Sequence, residues 1–236
     1  MIAVALLALA ALLVWPVPAI LARSPAALRH PAAALVAWQA VGLASGLALI
    51  GAGVAYGLSG PLWMVGVAGA FAAYLLLVAA RVTVRTLRRR RRHRALLDLV
   101  GTPWPALPGG RLLDSPTAMA YCLPGLRPRM VVTSAALRGL SPRALDAVVA
   151  HESAHLQQRH DLVVLPFVAW LAALPFLPGA RTARVAVALL VEALADDAAR
   201  SRIGAEPLGE ALRAVGLSGT ADYPAPPNVE LRLARL

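Results

Sequence analysis

The sequence predicts a mainly helical α+β protein, with N-terminal transmembrane helices followed by a domain that holds a small sheet and a helical hairpin. Three observations carry this expectation. Three uncharged stretches are each long enough to span a bilayer, a run of arginines follows them, and the C-terminal half places short strand-like runs before a well-capped helix. A hydrophobic fraction of 59%, only 15% charged residues and a mean hydropathy of +0.67 exclude an ordinary water-soluble enzyme.

The uncharged stretches are residues 1–22, 32–58 and 61–80. Each reaches the roughly 20 residues that cross a hydrocarbon core about 30 Å thick. Arg23, Ser24, Pro25, Arg29, His30 and Pro31 separate the first pair, and Gly57, Ser59, Gly60 and Pro61 supply a tight uncharged turn in the second. A cleaved signal peptide is the alternative for the first stretch, but it has no basic leading region and its nearest positive charges come after it.

The net charge of +11 arises from 23 arginines, no lysine and 12 acids, and eight of the arginines fall within residues 81–94, which hold no acid. The remainder is close to balanced, so the basicity is a local collar and not a domain-wide nucleic-acid surface. With Arg23 and Arg29 after the first stretch and no charge in the second turn, the positive-inside rule puts the N-terminus outside and residues 81–236 in the cytoplasm of a bacterial plasma membrane. The collar reads as a topology determinant touching lipid headgroups; binding of anionic lipid or nucleic acid is the alternative. The single cysteine, Cys122, excludes an intramolecular disulfide and a thiolate zinc cage.

Residues 101–110 hold three prolines and three glycines and read as a linker without regular structure. The chain thus divides into residues 1–80 with three transmembrane helices, 81–110 as an Arg-rich juxtamembrane segment and linker, and 111–236 as the second domain. Strands are expected at residues 117–123 and 130–133, separated by Pro124, Gly125 and Pro128. Ser141 followed by Pro142 then reads as an N-cap and first helical residue, opening a helix over residues 142–159.

That helix contains His151, Glu152, Ser153, Ala154 and His155. Residues four apart share a helical face, so both imidazoles can reach one Zn²⁺, while Glu152, turned about 100° away, can act as a base beside it. The composition gives on the order of 0.002 chance matches to this pattern, so it is unlike an incidental one. A catalytic zinc takes three protein ligands and keeps one position open. Glu192 is the best third ligand: His160 lies too close along the same helix, and His30 and His93 belong to the membrane-proximal part. Asp196, four residues beyond Glu192, is suited to accept the spare N–H of a ligating histidine, and Asp197 to face solvent or pair with Arg200 or Arg202.

Residues 162–178 are uncharged but interrupted by Pro166 and Pro175. A single crossing here would carry Glu192 away from His151. A hairpin over residues 162–190, turning at Gly179 and Ala180 and dipping into or lying against the membrane, would bring it back.

These residues resemble the gluzincin membrane peptidases of the antirepressor type, the family of bacterial beta-lactam sensors and methicillin-resistance regulators, and almost equally the heat-shock and prenyl-protein-processing membrane peptidases. The likeness runs over residues 118–122, 131–134, 140–155 and 159–161, then Glu192 with Asp196. It implies a zincin-like metallopeptidase domain with one Zn²⁺ held by His151, His155 and Glu192, Glu152 as base, and Asp196 behind the ligands. The closing residues 223–236, beginning Tyr223-Pro224, are similar to a C-terminal segment of the heat-shock kind, which makes Arg232 a further site candidate. No long hydrophilic region follows, and Ala195 stands where the antirepressor family carries cysteine, so beta-lactam sensing is not implied.

The function expected is hydrolysis of peptide bonds in a cytosolic or membrane-proximal protein, a transcriptional repressor or a quality-control substrate. An extended substrate could pair with an edge strand near Met119 and Cys122. The rivals are a membrane-anchored scaffold with a structural zinc, which an intact Glu152 disfavours, and an Arg-rich nucleic-acid binder. The expected partners are a protein or peptide substrate, a cytosolic repressor among the candidates, and the lipid bilayer; direct nucleic-acid binding is not expected.

Overall fold

The N-terminal apolar stretches form helices α1 (Ile2–Val14), α2 (Pro16–Arg23), α3 (Pro25–Arg29), α4 (Pro31–Ser59) and α5 (Trp63–Val100) in the computed structural model, which describes residues 1–215 and 229–236. Pro16, Pro25 and Pro31 each open a new helix, because proline's fixed φ suits the first helical position and its missing N–H would be unpaired there anyway. Among the described residues, three segments are long and apolar enough to cross a membrane, Ile2–Arg23, Pro31–Ser59 and Trp63–Val100, which fits a membrane protein. The third continues past the expected end at Ala80 through the whole arginine collar, since residues 81–100 contain no glycine or proline and arginine is a good helix former.

The described residues divide into two units. Met1–Val84 with Leu165–Leu190 form the first. There α1 packs along α4, and α4 approaches α5 closely: a Cβ on Gly53 would stand 2.9 Å from that of Ala68, and one on Gly57 2.7 Å from Val65 Cγ2. Small residues at such spacing let apolar helices touch backbone to backbone.

The second unit comprises Arg85–Val164 with Val191–Leu236. Its sheet has four strands, β1 (Thr102–Pro103), β2 (Gly110–Leu113), β3 (Ala120–Leu123) and β4 (Arg129–Thr133), in the order β1-β2-β4-β3. β2 and β4 run parallel, and the two outer strands run antiparallel to their neighbours. The expected strands are β3 and β4. The stretch expected to lack regular structure instead carries β1, with Pro103 opposite Arg111 on an outer strand, where a missing N–H costs no ladder bond. Asp98 near the end of α5 accepts from Arg111 at 2.8 Å and Arg129 at 3.2 Å, tying that helix to β2 and β4.

Helices α6 (Ser134–Gly139) and α7 (Pro142–Gln157) follow the sheet, and α10 (Ala205–Val215) and α11 (Val229–Leu233) close the chain. Ser141 Oγ accepts from the Ala144 N–H at 3.2 Å, a cap worth about 0.5–2 kcal/mol. Val132, Ala147, Val148, Leu208 and Leu212 form the buried core between β4, α7 and α10. Helices α8 (His160–Ala173) and α9 (Pro178–Ile203) occupy the region of the expected hairpin. Fourteen residues of α8 rise about 21 Å, too short for a crossing of about 30 Å. The break between them lies at residues 174–177 and not at Gly179 and Ala180, which belong to the start of α9. Gly179 serves a different purpose, since a side chain there would collide with the Val14 carbonyl.

Candidate metal centre

Helix α7 carries His151, Glu152 and His155, and α9 carries Glu192 and Asp196; all five are almost fully buried. The four-residue spacing sets the two imidazoles on one face, with Nε2 of His151 3.1 Å from Nε2 of His155. Glu192 Oε2 stands 3.5 Å from the first and Oε1 3.4 Å from the second. Ligands about 2.0–2.1 Å from a tetrahedral zinc are about 3.3–3.4 Å apart, so these separations match a three-ligand face. Both Glu192 oxygens are buried without a hydrogen-bond partner among the described residues, and the Arg232 guanidinium approaches only Oε2, at 3.2 Å, so Oε1 has no guanidinium to offset the cost of its burial. The donor set therefore fits a divalent metal.

The surroundings orient these groups. Nδ1 of His151 lies 3.1 Å from Oδ1 of Asp196, close enough for charge attraction though not aligned as a hydrogen bond. Arg232 of α11, 3% exposed, grips Asp196 through Nε at 2.7 Å and Nη2 at 2.6 Å, and its Nη1 reaches Glu192 Oε2 at 3.2 Å. Tyr223 and Pro224, which open the C-terminal segment that contains Arg232, lie outside the described residues.

Burial works against each charge here, and neighbours decide the outcome. It would lower His151, but the Asp196 and Glu192 carboxylates reverse that and raise it to about 9. It would raise Glu192 and Asp196, but His155, His151 and Arg232 hold Glu192 at about 2, and Arg232 and His151 hold Asp196 at about 2. For His155 burial prevails and lowers the imidazole to about 3. For Glu152 burial also prevails and pushes the carboxyl up to about 7. Cys122 of β3 lies against Glu152; burial and that carboxylate raise its thiol well above the ordinary range, which makes it inert packing.

His160 enters the site in a way the sequence reading missed. It is not on the motif helix, because Arg159 adopts φ 51°, ends α7 and turns the chain into α8. The ring then packs against His155, with Nδ1 2.9 Å from His155 Nδ1 and Nε2 3.0 Å from Gln158 Oε1. An amide oxygen only accepts, so His160 carries its proton on Nε2 and accepts from His155 Nδ1–H. That leaves the lone pair of His155 on Nε2, toward His151 and Glu192. No periodicity marks a left-handed residue in advance, so only the unusual crowding of histidine in residues 151–160 pointed here. Asp197 pairs with Arg200 as expected, and also with Arg235 instead of Arg202.

Residues 84–199 match the sequence model of Peptidase family M48, a stretch of just under half the chain that includes α7, Glu192 and Asp196. The match supports a zinc metallopeptidase and does not extend to the antirepressor type. No curated protein and no solved structure matches the chain.

Proposed function

We propose that the protein is a membrane-anchored zinc endopeptidase of the gluzincin type, with His151, His155 and Glu192 as ligands and Glu152 as base. The convergence of three metal-competent atoms beside a fully buried carboxylate carries this reading. Zinc, when bound, supplies a Lewis acid that polarises the scissile carbonyl and lowers the pKa of water to about 7. Glu152 takes the proton of the attacking water and delivers it to the leaving amine. Asp196 and Arg232 hold His151 and Glu192 in position. β3 lies beside Glu152 and is an outer strand of the sheet among the described residues, which supports pairing with an extended substrate.

The purified full chain is expected to bind about one Zn²⁺, and His151→Ala or His155→Ala to lose it, because two ligands do not hold an open site. Metal analysis after dialysis decides this, together with chelator-sensitive hydrolysis of an unfolded test protein. Unchanged zinc in either variant would overturn the ligand assignment. His160→Leu is expected to weaken zinc affinity by about 10- to 100-fold while the fold survives, through loss of the bond that fixes the His155 tautomer. Competition with a fluorescent chelator measures it, and wild-type affinity would remove His160 from the site.

The arginine distribution supports an N-terminus outside and a cytoplasmic catalytic domain. Reporter fusions after Val100 should read cytoplasmic and those at Ser59 external; the reverse would exclude cytosolic substrates, a repressor among them.

A further inference from the structure

Helix α5 and the turn between β3 and β4 border an open cleft of about 590 Å³ whose lining includes none of His151, Glu152, His155, Glu192 and Asp196. Six arginines and two aspartates line it. Both aspartates are engaged: Asp161 takes Arg90 at 2.8 Å, and Asp98 takes Arg111 and Arg129. Arg91, Arg94 and Arg127 have no carboxylate within ion-pair distance among the described residues, so their charges converge on the cleft unneutralised. Arg94 is set in place by Gly125, where a Cβ would come 2.8 Å from Nη1, and its Nε donates to the Arg90 carbonyl at 3.3 Å.

The rim is apolar where a site for a free anion would be wet. Leu126, at the tip of the turn, is fully exposed, and Leu87 and Leu162 are 46% and 51% exposed. Leu87 comes seven residues after Ala80, the last residue of the third uncharged stretch, on the same helix. Exposed leucines beside unneutralised arginines match an amphiphile with an anionic head. We propose that this cleft binds an anionic glycerophospholipid, its phosphodiester on Arg91, Arg94 and Arg127 and its acyl chains against Leu126.

The test uses the full chain in neutral detergent and native mass spectrometry with phosphatidylglycerol and phosphatidylcholine of identical chains. Phosphatidylglycerol adducts are expected at about tenfold lower lipid concentration than phosphatidylcholine adducts. The triple variant Arg91→Gln/Arg94→Gln/Arg127→Gln should lose that preference. The triple variant Arg138→Gln/Arg143→Gln/Arg213→Gln removes equal charge from exposed positions elsewhere and should keep it. Should the first triple variant fail to fold, Leu126→Ser and Arg127→Gln, both on the exposed turn, carry the same comparison. Equal affinity for the two lipids, or equal loss in both triple variants, overturns the site. Displacement of the lipid by inorganic phosphate at matched concentration makes it a free-phosphate site, and displacement by an RNA oligonucleotide makes it a nucleic-acid surface; either overturns the lipid.

Discussion

Glu152→Gln should leave zinc bound and lower peptide hydrolysis by about 10²- to 10⁴-fold. The side chain is fully buried on α7, one residue from His151 yet outside the group of metal-competent atoms formed by His151, His155 and Glu192. Glutamine has the same shape and no charge, so it preserves packing and removes the carboxylate proposed to take a proton from water and return it. Burial already raises this carboxyl to about 7, so the neutral side chain is compatible with the surrounding core. Zinc content and hydrolysis of an unfolded test protein, measured side by side, separate chemistry from folding. Chelator-sensitive hydrolysis that persists undiminished would assign the base elsewhere. Loss of zinc along with activity would make Glu152 a structural part of the metal site.

Arg232→Met should destabilise the metal-free chain by about 3–5 kcal/mol. The guanidinium is 3% exposed and binds both oxygens of Asp196, so little solvent is present to replace it. Its removal leaves two carboxylates, Asp196 and Glu192, buried beside each other with the histidines alone for compensation among the described residues. Thermal unfolding in detergent reads the loss, and added zinc should restore part of it by restoring positive charge next to Glu192. A change below about 1 kcal/mol would mean that the pair is far more hydrated than its burial indicates. Asp196→Asn is the milder companion: it keeps the volume and weakens metal affinity by about 10- to 100-fold through a misoriented His151.

Sequence by itself determined the features that follow from local spacing. Apolar runs of bilayer length, proline at helix starts, the Ser141 cap and the four-residue interval between His151 and His155 are properties of neighbouring residues, and each reappears in α1, α2, α4, α5 and α7. That Glu192 and Asp196 approach His151 together was also legible, because acids four residues apart share a helical face. Tertiary structure alone decided what depends on chain reversal. Arg159 at φ 51° moved His160 off the motif helix and onto His155. Gly179 proved to be a point of close approach to Val14 and not a turn. Strand pairing gave Pro103 a place at the sheet's edge that composition denied it. Arg90, one of a run of identical arginines, was singled out by Asp161, 71 residues away. Which of several equivalent side chains is buried is settled by the partner that reaches it, and the partner's position is set by packing between segments far apart in the chain.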